Sequence, residues 1–381
     1  MTLFFFALSA ITIAYTYAGY ALVVWLLARI RSRHVTKSDI SPSVSIVMAC
    51  HNEAPRIAAR LSNLLESDYQ GSLEIIVVSD GSTDGTDTIA KAYGSDRVTV
   101  LAYRGKRGKA WALNLGVAKA TGEIVLFADA RQQFEAKSVR QLVRNFADPE
   151  VGAVSGELIL DKAPGITEGV GLYWRYEKFI RRNEALAGSV IGATGAIYAI
   201  RSELWRRLPE ATILDDVFTP MQIARGGFRV VFEETARAHD HLSSSPATEF
   251  SRKARTLAGN YQLCQLIPGL LIPNTWLAFQ FYSHKLLRLA APLFLLTLLG
   301  TNVGLVLEDA VFGPSWLYQL LLALQLVFYI SAPAGAYLSR HNRRVRLLSL
   351  PYAFSLMNAA AIVGLFYFLT GKSDIWKPAH N

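Results

Sequence analysis

The chain has 381 residues, more than one average domain, with Lys+Arg 39 against Asp+Glu 30 for a net charge of +9. Only 18% of residues are charged while 51% are hydrophobic, which excludes a disordered or wholly solvated chain and indicates a membrane protein with a basic soluble part. The positive balance serves solubility and topology, or affinity for anionic headgroups and phosphorylated substrates; no stretch resembles a nucleic-acid module. The two cysteines, Cys50 and Cys264, fit no metal spacing and suggest a reduced compartment without disulfides.

Residues 3–28 carry no charge and are long enough to span a hydrocarbon core of roughly 30 Å at about 1.5 Å per residue. The stretch lacks a basic start and is too long for a secretory signal, so it reads as a retained anchor, 1–28. Arg29, Arg31 and Arg33 follow, which places them in the cytoplasm by the positive-inside rule.

Residues 42–245 alternate between strand and helix patterns. "SVSIVMA" (43–49), "LEIIVVS" (73–79) and "EIVLFAD" (123–129) are continuous apolar runs ending in polar residues, as buried parallel strands do. "GKAWALNLGVAKA" (108–120) has a helical period. The fold class is therefore α/β with an open sheet, and ligands bind beyond the carboxyl ends of its strands. Those ends hold Cys50 to Glu53, Ser79 to Ser82, and Asp129 to Arg131. Residues 168–186 form an aromatic, basic amphipathic helix, suited either to packing on the sheet or to a membrane interface.

Residues 246–286 read as interfacial helices. Three spans follow at about 287–307, 315–338 and 350–369, within a transmembrane region of 287–370. An acidic loop with Glu308 and Asp309 suits the outside, and the basic "RHNRRVR" (340–346) suits the cytoplasm. One anchor and three spans put the C-terminus outside; Lys372 and Lys377 argue the other way and would suit a re-entrant last span.

Several short patterns can carry chemistry. "SDGSTDGT" (79–86) is a turn that presents Asp80. "RGKRGKAWALN" (104–114) puts Lys106, Arg107 and Lys109 at a helix start, where cations oppose the helix dipole; a bound diphosphate would compensate, and a solvated basic loop is the alternative. In "ILDDVFTPMQIARGG" (213–227), Asp215 and Asp216 are adjacent carboxylates. Their repulsion raises the proton affinity of one, as a general base needs, unless either merely caps the helix. "FSRKARTLAGNYQ" (250–262) crowds Arg252, Lys253 and Arg255 before the membrane region, as a topology signal would.

The ordered set "ACHNEA", "SDGSTDGT", "GKRGKAWALN", "FADAR", "GATGAIYAIRSELW", "LDDVFTPMQIARGGFRVVF" and "FSRKART" resembles the membrane-bound inverting family 2 glycosyltransferases of the cellulose synthase and hyaluronan synthase kind, over about residues 42–262. That resemblance implies a GT-A nucleotide-sugar-binding domain between an N-terminal transmembrane anchor and a C-terminal helical transmembrane region. It implies that Glu53 and Asp80 hold the nucleoside and that Lys109 lies by the nucleotide. Asp129 takes the metal–diphosphate position, with a divalent metal, Mg or Mn. Arg252 and Arg255 lie near the donor diphosphate. Asp216 deprotonates the acceptor hydroxyl, and Asp215 with the loop Gly192, Ala193, Thr194 and Gly195 borders the acceptor.

The sequence departs from the family's pattern twice. The metal motif is "DAR" rather than two acids, and the last motif has Arg252 and Thr256 where the family has Gln and Trp, which counts against chain extension. Asp129 alone could hold the metal, or Arg131 could pair with phosphate in its place, or the site could be inert. The expected activity is transfer of a sugar, UDP-linked in the family's usual manner, to a lipid-linked or saccharide acceptor at the cytoplasmic face of a bacterial inner membrane, among membrane lipids. The alternatives are a processive exopolysaccharide synthase and a silent nucleotide-sugar-binding partner.

Overall fold

The computed structural model describes residues 1–161, 168–241, 246–308, 315–340 and 345–371. The chain divides into two compact units, one drawn from 1–26, 163–180 and 243–375, the other from 27–162 and 181–242.

The second unit is built on an eight-stranded sheet. Its elements are β1 (Val44–Cys50), α2 (Ala54–Leu65), β2 (Leu73–Asp80), α3 (Thr86–Ala92), β3 (Val98–Tyr103), α4 (Lys109–Val117), β4 (Ile124–Ala128), β5 (Gln133–Phe134), α5 (Ser138–Val143), β6 (Val151–Asp161), β7 (Ile197–Arg201), α7 (Asp215–Arg225) and β8 (Arg229–His241). The labels α1 and α6 belong to Thr2–Ile30 and Glu168–Ala187. The strand order is β3-β2-β1-β4-β7-β6-β8-β5.

β1 and β4 are buried along their whole length, which is why their sequences are unbroken apolar runs rather than alternating ones. β1 pairs in parallel with both β2 and β4, Val44 lying opposite Leu73 and Ile124. Because these strands share one direction, Cys50, Asp80 and Ala128 reach the same rim. β7 then runs antiparallel to β4, with Ile197 opposite Ala128. The reversal brings the loop before β7 to that same rim, next to the residue after Ala128. Gly81 makes the turn after β2 with φ +61; a Cβ there would lie 2.5 Å from the Gly105 carbonyl carbon, so the loop after β3 sits directly on it.

The first unit contains α1, with a π-type turn at Tyr15–Gly19, together with α8 (Pro246–Leu266), α9 (Trp276–Leu307), α10 (Ser315–Arg340) and α11 (Arg346–Thr370). Four helices among the described residues are long and apolar enough to cross a membrane: Thr2–Ile30, Trp276–Leu307, Trp316–Leu338 and Leu347–Thr370. The second begins eleven residues before the start expected from sequence. Thr275 explains the difference: its side chain accepts from the Ala278 N–H (3.1 Å) and caps the helix just after Pro273 and Asn274. His284, Lys285 and Arg288 interrupt the apolar run and hid this first part of α9. Asp309, residues 341–344, Lys372 and Lys377, used above to orient the spans, lie outside the described residues.

Candidate active site

The rim of the sheet collects most of the chemistry. Lys109 is the first residue of α4, and its ammonium lies 3.2 Å from Asp129 Oδ1 and 3.4 Å from Asp215 Oδ1. The cation at this helix start is therefore balanced by two of the protein's own carboxylates, where the sequence suggested a diphosphate. These acids hold the Lys109 ammonium strongly protonated, against the opposing effect of its burial.

Asp215 and Asp216 open α7, where negative charge is favoured by the helix dipole. They are not equivalent. Asp215 is buried, with Oδ2 lacking a hydrogen-bond partner among the described residues. Burial pushes its carboxyl up to about 6; Lys109 works against this, while Asp216 and Asp129 add to it. Asp216 is half-buried, and its Oδ2 accepts from the Gly195 N–H at 3.1 Å. The Ala193 N–H donates to the Asp216 backbone carbonyl at 2.7 Å. The loop 192–196 and the start of α7 are thus locked together, and Gly195 is small for a reason: a Cβ there would sit 2.8 Å from Asp216 Oδ2. Thr194 accepts from Arg181 Nη1 (2.7 Å), and its N–H donates to Ser155 Oγ (2.9 Å). Gly192 packs against Val217.

The raised carboxyl of Asp215 has a consequence for stability. Its pKa in the folded state exceeds the usual 3.8, so the native protein binds a proton more tightly than the unfolded chain. The resulting penalty is absent below about pH 4 and complete above about pH 6. As pH rises from 4 to 7, the thermal midpoint of the full-length protein should fall relative to that of Asp215→Asn. A difference on the order of 2–3 kcal/mol is expected across that window. Parallel midpoints at all pH values would show that Asp215 titrates normally.

The other expected site residues have the following surroundings. Asp80, assigned to the nucleoside, is 1% exposed and accepts three bonds from the end of β3 and the loop after it: Tyr103 Oη (2.9 Å), Arg107 N (2.6 Å) and Gly108 N (2.8 Å). It fixes the basic loop that delivers Lys109. Glu53 accepts from Arg56 Nη1 at 2.9 Å, and its N–H donates to Thr86 Oγ1 at 2.8 Å. Arg131, considered above as a phosphate ligand, has Nη2 2.5 Å from the buried Asp240 Oδ2, to which Gln132 also donates at 2.9 Å. The positive charge in "DAR" is spent on closing β8 against the strand end. Arg252 and Arg255 lie on α8, in the other compact unit.

Arg60 was not anticipated. It is 2% exposed, donates from Nε to the Asp129 carbonyl (3.0 Å) and stacks 4.1 Å from the Phe134 ring centre. Asn63 donates to the Phe134 carbonyl and accepts from its N–H. One face of α2 therefore pins the segment from Asp129 to Phe134. The signal was present: Ile57, Arg60, Leu61 and Leu64 form the buried helical stripe, with an arginine at a core position. Beneath the site, Phe127 stacks on Tyr198 at 4.5 Å, a floor that Tyr198 and Phe127 share because β4 and β7 are paired there.

Among the described residues no group of three or more His, Cys, Asp or Glu is disposed to hold a metal ion. Asp129, more than a third exposed, remains a single carboxylate at the strand end. A cation seated there would draw its other ligands from substrate and water, an arrangement that Mg²⁺ accepts.

Residues 45–234 match the family model described as glycosyl transferase family 2. The poly-beta-1,6-N-acetyl-D-glucosamine synthase of Staphylococcus aureus is 28% identical over 235 residues, 59% of this chain and 56% of that protein. An N-acetylglucosaminyltransferase of Rhizobium sp. is 28% identical over 197 residues, 50% of this chain and 43% of that protein. The chain thus spans about half the length of the curated relatives it matches. Among solved structures, the mannosyltransferase PcManGT of Pyrobaculum calidifontis, determined with GDP-Man and Mn²⁺, aligns with a TM-score of 0.72 at 23% identity, covering 97% of this chain and 99% of that one. The fold is of the GT-A glycosyltransferase type that the sequence implied.

Proposed function

Residues 45–234 belong to glycosyl transferase family 2, and on that premise we propose that this protein transfers a sugar from a nucleotide-diphosphate donor to a hydroxyl of a lipid-linked or saccharide acceptor, with inversion. The observation that carries the reading is the pairing of a half-buried carboxylate, Asp216, held by the Gly195 N–H, with a partly exposed lysine bridge joining Asp129 to Asp215.

The roles follow from the chemistry. A single in-line displacement needs one base on the acceptor side, and Asp216 takes the hydroxyl proton. Asp215 keeps Lys109 charged and in place beside Asp129. The leaving group is a nucleoside diphosphate, and Lys109 offsets its growing charge. Asp129 is the protein ligand for a divalent cation, Mg²⁺ or Mn²⁺, which when bound supplies Lewis-acid stabilisation of that diphosphate. Glu53 and Asp80 serve the nucleoside end, Asp80 through the loop it holds. Arg252 and Arg255 are assigned to the donor diphosphate, Gly192 to Gly195 to the acceptor. The donor is UDP-linked in this reading, and the catalytic unit is cytoplasmic. Addition of one sugar is favoured over chain extension because Thr256 stands where the extending enzymes have Trp.

The test is nucleoside diphosphate release by purified full-length protein in native lipid, over a panel of donors and acceptors. EDTA should abolish release and added Mn²⁺ or Mg²⁺ should restore it. Release that survives EDTA would remove the metal from Asp129. No release with any donor and acceptor, although donor binds, would overturn catalysis in favour of a silent binding partner. A product ladder in place of a single added sugar would establish a processive synthase.

A further inference from the structure

In the helical unit, one charged cluster is incompletely satisfied. Glu177, on α6, is 8% exposed; it lies 3.2 Å from His284 Nε2 and accepts from Arg288 Nη1, both on α9. Tyr20 packs on the His284 ring at 5.5 Å, and Arg288 lies 5.5 Å from the Tyr176 ring centre. The remaining edge of the Arg288 guanidinium is Nε and Nη2. Both atoms are buried and neither makes a hydrogen bond of ordinary geometry among the described residues, although the Tyr176 hydroxyl interacts with the guanidinium.

A buried donor left without a partner is destabilising, more so when charged, and here two share one group. The cost falls inside Trp276–Leu307, a helix apolar and long enough to cross a membrane, where an ionisable residue marks a functional position more often than a packing one. Glu177 needs only one edge of the fork. The Nε–Nη2 edge is the pair of parallel donors that fits two oxygens of a phosphate. On the same helix as Glu177, Tyr173 and Trp174 lie 5.4 and 5.6 Å from the Lys253 ammonium, a cationic, aromatic flank of the kind that receives lipid headgroups.

We propose that the Nε–Nη2 edge of Arg288 binds a phosphate oxyanion carried by a lipid, with Glu177 and Tyr176 holding the guanidinium in position. Two lipids offer this chemistry: a bulk phospholipid such as phosphatidylglycerol, and a polyprenyl phosphate that could carry an acceptor. The proposal goes beyond sugar transfer and does not depend on it, because its readout is binding.

Delipidated full-length protein in neutral detergent is titrated with phosphatidylglycerol, polyprenyl monophosphate, the uncharged polyprenol and inorganic phosphate, and bound lipid is read by native mass spectrometry. Both phosphate-bearing lipids, or the polyprenyl phosphate alone, should bind the wild type; the first result assigns a general headgroup site, the second an acceptor site. Arg288→Lys keeps the pairing charge but loses the fork, and should weaken binding at least tenfold. If that variant fails to fold, the double variant Glu177→Gln/Arg288→Gln removes the charge pair together and should show the same loss. Undiminished binding by the folded variant, equal binding of polyprenol, or inorganic phosphate binding as tightly as either lipid would overturn the proposal.

Discussion

Asp216→Asn should reduce sugar transfer by about 10²–10⁴-fold while leaving donor affinity within a few-fold of wild type. The amide is nearly isosteric and still has an oxygen for the Gly195 N–H, so the loop and α7 stay together. What it lacks is a basic lone pair for the acceptor proton. The expected pattern is a loss of kcat with the donor constant little changed, measured by product formation and by donor titration. Transfer at the wild-type rate would remove Asp216 from the base role. Gly195→Ala is the companion test. Its methyl would fall 2.8 Å from Asp216 Oδ2, and the obstructed atom is the end of a side chain, so the carboxylate turns away while the backbone stays. A folded protein with impaired transfer is the expected result; a fully active Gly195→Ala would show that the position of Asp216 is not critical.

The second large effect is expected at Lys109. Lys109→Met retains the aliphatic stem and deletes the ammonium between Asp129 and Asp215. Asp215 is nearly fully buried and loses the cation paired with it, leaving an uncompensated buried acid next to Asp216. Stability should fall by roughly 1–3 kcal/mol at pH 7, after allowance for the quarter of Lys109 that solvent reaches. Transfer should fall at least about 10²-fold, because the leaving diphosphate loses a fixed positive charge. The two losses separate in the double variant Lys109→Met/Asp215→Asn, which should regain much of the stability and none of the activity. If stability is not regained, the bridge to Asp215 is not what the lysine contributes to the fold; wild-type transfer by Lys109→Met would remove it from catalysis.

The parallel half of the sheet was legible because its strands are buried on both faces and leave unbroken apolar runs, each ending at the polar residue that reaches the rim. The adjacency of Asp215 and Asp216 was legible too, but not which acid is buried, since that depends on how α7 meets the loop before β7. The partner of Arg131 was beyond reach. Asp240 is more than a hundred residues away, and only the pairing of β5 with β8 brings the two together. The start of α9 was obscured for the opposite reason: two of its polar residues, His284 and Arg288, meet Glu177 on a helix far away in sequence, so local hydropathy undercounts the span.

The strand order also sets a sequence of events during synthesis. β1 to β4 pair among themselves within the first 128 residues, so this half can assemble while the rest of the chain is still being made. β8, the last strand, must insert between β6 and β5, contacts of long sequence separation that form late. Arg131 meets Asp240 only at that step. The strand end that carries Asp129 is therefore clamped from one side early, by Arg60, and from the other only when the domain is complete. A nascent or truncated chain lacking β8 would hold this strand end from the Arg60 side alone, and Arg131 would wait without its buried carboxylate until the whole domain had emerged.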